Sequence, residues 1–198
     1  MNFCLSRVIE LDETTSTQDI AKNLAESYDE DCVLIQAKTQ TNGRGRYERQ
    51  WASREGGLYI SLLLRPKKQI GSTAELSVKT GGAVAQTLHK LYGIKTKIKL
   101  PNDVLALHGG DYKKISGILI ETSAGAEKLN WLIVGIGVNI NNALPRGLGA
   151  VSVKQITRQK QEINAFRDAF LNNFAAKYTQ WQMAARPKSS VINDNILE

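Results

Sequence analysis

The sequence predicts one α+β domain built on a mixed, largely antiparallel sheet flanked by helices. Three observations carry that prediction. Short apolar runs follow one another closely and are joined by Gly and Pro turns, which is the pattern of hairpins rather than of βαβ units. Two longer stretches, one between Ser72 and Gly93 and one over 160–181, carry apolar residues at helical spacing instead. A chain of 198 residues, 42% hydrophobic, can bury one good-sized core and at most two small ones.

Residues 4–11 (Cys-Leu-Ser-Arg-Val-Ile-Glu-Leu) predict a first strand, and 12–17 a hydroxyl-rich turn. Ser16 is a good N-cap, followed three residues later by Asp19. Ile20, Ala21, Leu24, Ala25 and Tyr28 then make one helical face. Residues 32–37 predict a strand that feeds a glycine- and arginine-rich loop over 39–51. Gly56-Gly57 turns the chain into a strongly buried strand, Leu58 to Leu64, closed by Arg65-Pro66. Ser72-Thr73-Ala74-Glu75 has the form of a capping box. The helix behind it carries Leu76, Ala83, Val84, Leu88 and Leu91 on one face and stops at Gly93. Thr96 to Leu100 alternates polar and apolar, as an antiparallel or edge strand does, and Pro101-Asn102-Asp103 breaks it. A hairpin-like loop at His108–Asp111 precedes strands over 114–121 and 130–141. The last helix, 160–181, has Ile163, Phe166, Phe170, Phe174, Tyr178 and Trp181 as its apolar stripe, expected to be core. We expect residues 1–182 to form one domain and 183–198 a polar tail.

A formal net charge of +7 points to an anionic partner, without choosing among nucleic acid, nucleotide and acidic protein. The two cysteines, Cys4 and Cys32, lie in apolar strand-like contexts and are expected to be buried thiols rather than a disulfide. Neither has a Cys or His at ligand spacing, which argues against a zinc site. There is no recognisable signal peptide and no apolar run of the ~20 residues that a membrane span needs, so a soluble, cytoplasmic protein is expected.

Three stretches look chemical. The loop Thr39 to Trp51 packs three arginines, two glycines and a tryptophan without apolar periodicity, and it begins where a strand ends. Cationic, glycine-rich loops at strand ends bind phosphates. The loop is neither a Walker A sequence nor a dinucleotide-binding fingerprint, since Glu48 stands where a third glycine would be. Nucleic-acid binding, with Tyr47 and Trp51 stacking on bases, stays open from these residues alone. In strand 131–141, Val134, Ile136, Val138 and Ile140 share one face, while Gly135, Gly137, Asn139 and Asn141 share the other. Bare backbone ending in amides suits close approach by a ligand, with a solvent-facing side or tight packing against another element as the alternative. Lys114 opens a strand just after a glycine loop, which places an ammonium at a sheet end, although taken alone it reads equally as a solvated surface charge, as its neighbour Lys113 does.

Five elements together resemble the biotin protein ligases. Gly43-Arg44-Gly45-Arg46-x-x-Arg49-x-Trp51-x-Ser53 is similar to that family's signature loop. Lys99-Leu100-Pro101-Asn102-Asp103 is similar to its K-W-P-N-D element, with Leu100 for the usual Trp. Lys114 to Glu121 resembles K-L-A-G-I-L-V-E, Gly135 to Asn141 resembles G-I-G-I-N-V-N, and Ser16-Thr17-Gln18 matches the S-T-N/Q turn. The five occur in family order across about residues 8–180.

The resemblance implies a fold akin to class II aminoacyl-tRNA synthetases and lipoate ligases. It implies that biotin and ATP, with Mg²⁺, give biotinyl-5′-AMP and pyrophosphate, and that biotin then passes to a lysine of a carboxylase's biotin carboxyl carrier domain. It places Ser16, Thr17, Gln18 and Gln40 at biotin's ureido ring, and Gly117 beside biotin. It has Arg44, Gly45 and Arg46 closing over biotin and the phosphates. It puts Lys114 at the biotin carboxylate and α-phosphate, and makes Lys114 and Arg44 the catalytic cations. Gly43, Arg46, Arg49, Trp51, Asn102 and Asn139 would bind the nucleotide, Trp51 and Asn139 at the adenine, with Asp103 a Mg²⁺ ligand. Because no protein nucleophile is needed, catalysis would be positioning plus charge neutralisation.

The chain departs from that pattern at Glu48, where the family has glycine. With no DNA-binding segment ahead of residue 1, no DNA partner is expected, and the tail 183–198 stands in place of a small C-terminal β-barrel. A homodimer is compatible with the family, and so are monomers. A lipoate or octanoyl ligase on the same scaffold is the nearest alternative, although its R-R-x-x-G-G-G-type loop is absent. A non-catalytic basic protein that binds nucleic acid or biotin is the alternative of another class.

Overall fold

The computed structural model describes residues 5–66, 72–124, 129–145 and 147–184. In chain order the elements are β1 (Arg7–Thr14), α1 (Thr17–Ser27), β2 (Val33–Gln40), β3 (Leu58–Leu64), α2 (Thr73–Tyr92), β4 (Thr96–Lys99), β5 (Asp103–His108), β6 (Asp111–Ala124), β7 (Leu129–Val138), α3 (Val153–Thr157) and α4 (Ile163–Ala184). The seven strands form one sheet in the order β1-β2-β3-β7-β6-β5-β4. β1 and β2 run parallel, joined by α1, and every other pairing is antiparallel. This is the mixed, largely antiparallel sheet that the hairpin spacing predicts.

Strand alternation separates the two faces. Leu58, Ile60, Leu62 and Leu64 of β3 and Leu132, Val134, Ile136 and Val138 of β7 point to the face covered by α2 and α4. Phe166, Phe170, Phe174 and Trp181 of α4 are fully buried there, and the rings from Phe170 to Trp181 stack along the helix. The Trp181 indole N–H donates to the Ser72 carbonyl (3.1 Å), tying the end of α4 to the start of α2. On the other face, α1 lays Ala21 and Ala25 against Val33, Ile35, Leu63, Trp131 and Ile133. α1 covers only that end of the face. The rest of it, toward the end of β7, is where the candidate site lies.

Several expectations are corrected. β1 runs on to Thr14, because pairing with β2 continues as far as Thr14 opposite Gln40; the hydroxyl-rich residues 12–14 are edge strand, not turn. β2 likewise extends to Gln40, so the arginine loop starts from strand. Ser16 caps α1 by accepting from the Gln18 N–H, but Tyr28 ends the helix in an extended conformation and is 58% exposed, so it is no part of the buried face. Leu91 is also exposed. Ser72 caps α2 through Ala74, while Glu75 pairs with Lys79 instead of closing a box. Asp103–His108 is a strand that the reading of 101–103 as a breaker hides; Gly109 and Gly110, both at positive φ, then make the tight turn into β6. α3 was not expected at all, although Ser152 and Gln155 form a reciprocal capping box. β7 stops at Val138, so Asn139 and Asn141 do not share the strand face of Gly135 and Gly137. α4 starts and ends three residues later than expected. Cys32 is half-buried against the core; Cys4, the Glu48 side chain and residues 185–198 lie outside the described residues.

One core position is polar without reward. Ser116 is fully buried, and its hydroxyl has no hydrogen-bond partner among the described residues. A buried, unpartnered hydroxyl costs about 1–3 kcal/mol of desolvation, so Ser116→Ala is expected to raise stability by about 1 kcal/mol. Urea denaturation with an unchanged m-value checks this; a lowered midpoint would count against it.

Candidate active site

Three central strands make the floor. Register sets Tyr59, Gly137 and Gly117 side by side in one row, and Ser61, Gly135 and Leu119 in the next. These residues line a cavity of about 180 Å³. Its wall is the start of α1, and its roof is the loop between β2 and β3.

The wall is polar and tightly connected. The Gln40 side-chain oxygen accepts from the Thr17 N–H (2.8 Å) and from the Thr17 hydroxyl (3.2 Å). The Gln40 amide nitrogen donates to Ser53 Oγ (2.7 Å), which donates to the Trp51 carbonyl (3.0 Å). Ser61, fully buried in the leucine-rich β3, lies 2.9 Å from Thr17 Oγ1 and 2.8 Å from Gln18 Oε1. Gln18 Nε2 in turn donates to Glu121 (2.7 Å). Tyr59, also buried, donates to the Arg54 carbonyl (2.6 Å), and burial raises its pKa well above the ordinary phenol value, so it stays protonated.

The roof is an ordered hairpin. Gln40 pairs with Ser53, the Trp51 N–H donates to the Gly43 carbonyl (2.8 Å), and the Gly45 N–H donates to the Arg49 carbonyl (2.7 Å). Its arginines are not equivalent. Arg44 is committed to two carboxylates, Asp19 at 2.6 Å and Glu121 at 3.3 Å. Arg46 is held by neutral groups: it donates to Asn102 Oδ1 (3.4 Å) and the Tyr47 hydroxyl (2.9 Å), and its guanidinium lies over the Tyr47 ring. Arg49 is exposed at the rim. From β6, Lys114 pairs with Asp103 (2.7 Å), and its ammonium lies 5.2 Å from the Trp51 ring.

The Trp51 indole takes the space over the glycines. A Cβ on Gly137 would lie 2.5 Å from Trp51 Cε2, and one on Gly117 would lie 2.9 Å from Cζ3. The bare-backbone floor expected to meet a ligand therefore meets the protein's own ring at these two positions, while Gly135 faces Gln18 Oε1. The indole Nε1 is buried with no hydrogen-bond partner among the described residues.

With this geometry in view, the comparisons with known proteins are decisive for the family. Residues 8–139 match the model of the biotin/lipoate A/B protein ligase family. The chain belongs to that family. A bifunctional ligase/repressor BirA from Bacillus subtilis is 41% identical over 131 residues, which cover 66% of this chain and 39% of that protein. The chain thus spans about two fifths of the length of the Bacillus relatives. A biotin–[acetyl-CoA-carboxylase] ligase from Paracoccus denitrificans is 34% identical over 180 residues, covering 87% of this chain and 71% of the relative. The structure of a biotin protein ligase from Aquifex aeolicus in complex with biotin and ATP superposes with a TM-score of 0.77 at 32% identity, covering 90% of this chain and 73% of that one.

Of the residues named from the resemblance to ligases of this family, the structure gathers Ser16, Thr17, Gln18, Gln40, Arg44, Gly45, Arg46, Arg49, Trp51, Asn102, Asp103, Lys114 and Gly117 around the cavity. Gly43 is buried inside the hairpin, where a Cβ would strike Ser53 and the Trp51 carbonyl. Asn139 is 3% exposed, accepts from Asn142 Nδ2 (3.1 Å) and does not line the cavity. Asp19, Ser53, Tyr59, Ser61 and Glu121 were not singled out for the site. Ser61 and Tyr59 did leave a signal, since strand alternation puts both on the face opposite Leu58, Ile60 and Leu62. Glu121 left a weaker one, as the last residue of the strand motif that opens at Lys114, while Asp19 left none, because only the fold brings residues 102 positions apart onto one guanidinium.

Proposed function

We propose that this chain activates biotin with ATP to biotinyl-5′-AMP and transfers the biotinyl group to a lysine of a biotin carboxyl carrier domain. The observation that carries the proposal is the joining, in one glycine-floored cavity, of a neutral hydrogen-bonding wall to a set of cations. The wall, Ser16, Thr17, Gln18, Gln40 and Ser61, suits a cyclic urea, which offers two N–H donors and one carbonyl. A long apolar acyl chain would leave these groups unmatched, which favours biotin over lipoate.

The chemistry needs two anions brought together. A carboxylate attacks the α-phosphate, and pyrophosphate leaves. Lys114 and Arg46 supply fixed positive charge for the reacting phosphate, Arg49 for the outer phosphates, and Trp51 an aromatic face for adenine. Arg44 acts differently from the sequence-based assignment: flanked by two carboxylates, it fastens the roof rather than neutralising phosphate. The adenylate is a mixed anhydride, and the hairpin over it excludes water.

Mg²⁺ would supply further neutralisation of the triphosphate when bound. Among the described residues lining the cavity Asp103 is the only acidic one, and no group of three or more potential metal ligands occurs among the described residues. That set fits a Mg²⁺ held mainly by the nucleotide, with Asp103 the one carboxylate in reach. No helix among the described residues is long and apolar enough to cross a membrane.

The test is mass spectrometry of the protein after incubation with biotin and MgATP, followed by addition of an apo carrier domain. Bound biotinyl-AMP, then labelling of one acceptor lysine, is expected, with lipoate inactive in parallel. Salt-sensitive nucleic-acid binding without pyrophosphate release would overturn the proposal.

A further inference from the structure

We infer that Glu121 is a positioning residue that sets the orientation of the Gln18 amide and couples it to the arginine hairpin. The inference rests on the biotin-ligase reading above. One carboxylate oxygen, Glu121 Oε2, accepts from both Gln18 Nε2 (2.7 Å) and Arg44 (3.3 Å). A carboxylate only accepts hydrogen bonds, so it admits just one orientation of the Gln18 amide: nitrogen outward to Glu121, oxygen inward to Ser61. That orientation leaves the inner end of Gln18 an acceptor, at the floor position where a Cβ on Gly135 would lie 2.7 Å away. A cyclic urea donates through its ring nitrogens, so an inward acceptor is what it can use. An inward NH₂ would face those nitrogens with a second donor.

The same oxygen joins this reader to the roof. When the hairpin seats Arg44 between Asp19 and Glu121, the guanidinium holds the Glu121 carboxylate in place, and that carboxylate holds Gln18. Closure of the roof and orientation of the urea-reading amide are thus one event. Asp19 shares only the first half of this job, because it contacts Arg44 and not the Gln18 amide.

The experiment is a double-mutant cycle on biotin affinity, read by calorimetry, and on the steady-state rate of adenylate formation. Glu121→Gln keeps the shape but offers Gln18 an NH₂ group, so both amide orientations become available. It is expected to weaken biotin binding and raise the biotin KM by about tenfold, with a much smaller change in kcat. In a Gln18→Ala background the same substitution is expected to retain only the part that acts through Arg44, no more than Asp19→Asn costs by itself, and to lose the rest. Glu121→Asp, still acceptor-only, is expected to recover part of the affinity and guards against a folding defect. In ¹⁵N spectra without ligand, the Gln18 side-chain amide signal is expected to shift in Glu121→Gln more than in Asp19→Asn. Full multiplication of the Glu121→Gln and Gln18→Ala effects, or a Gln18 amide signal indifferent to Glu121→Gln, overturns the inference. A wild-type protein that binds no biotin overturns the underlying reading instead, and the ligand-free spectra then still decide whether Glu121 orients Gln18.

Discussion

Lys114→Ala is expected to slow biotinyl-AMP formation by about 10²–10³-fold, the usual effect of removing one preorganised charge donor from a reacting anion. Lys114 is held in place for that role from both ends. Its backbone N–H donates to the Gly149 carbonyl (3.0 Å), and its carbonyl accepts from Val151 (2.9 Å), which fixes the strand beneath the side chain. Its ammonium is held by Asp103 (2.7 Å) at the cavity wall. The stability cost should be small by comparison. The pair is partly exposed, 35% and 21% at the two side chains, and ion pairs of that kind contribute about 0–1 kcal/mol. Single-turnover adenylate formation, set beside a thermal melt, separates the two effects. A rate within about threefold of wild type would remove Lys114 from the proposed chemistry.

The fold was legible where one periodicity ruled. β3 matches its expected bounds because every residue of 58–64 is buried, and the aromatic stripe of α4 lands in the core residue for residue. The failures are local conflicts. Pro101 and Asn102 do break the chain, but only for a turn, and the weakly patterned residues after them regain strand by pairing with β6 on one side and β4 on the other. β1 carries polar residues to Thr14 because an edge strand needs few apolar contacts to stay paired. The site divides in the same way. Residues contiguous in sequence, such as Ser16-Thr17-Gln18 and Gly43 to Trp51, were visible as compositional oddities. The carboxylates that organise them were not, since Asp19 reads as a helix-start residue and Glu121 as the polar end of a strand. Nor did the sequence say that two of the site's cations arrive already paired with acids.

Gly137→Ala is expected to reduce binding of biotin and ATP by about a hundredfold while shifting the melting temperature by only a few degrees. The added methyl would sit 2.5 Å from both Cε2 and Nε1 of the Trp51 indole, so the ring must leave its seat. Its backbone can shift only together with the rest of the hairpin. The Trp51 N–H is bonded to Gly43 and its carbonyl to Ser53, both within the hairpin. The ring therefore rotates about its side-chain bonds or lifts with the hairpin, away from Gly117 and Gly137, and in either case the aromatic face proposed for adenine goes with it. Stability changes little because the displaced group hangs from a loop, and because alanine in a strand removes some of glycine's unfolded-state entropy. The double variant Gly137→Ala with Trp51→Ala distinguishes the two ways that a methyl could act. If it acts by displacing the indole, the double variant binds ATP no worse than Trp51→Ala alone. If it acts by blocking the floor, the double variant is weaker still. Wild-type affinity in Gly137→Ala would mean that the indole already leaves the glycine floor when ligand binds, and the adenine face would then have to be sought elsewhere in the hairpin.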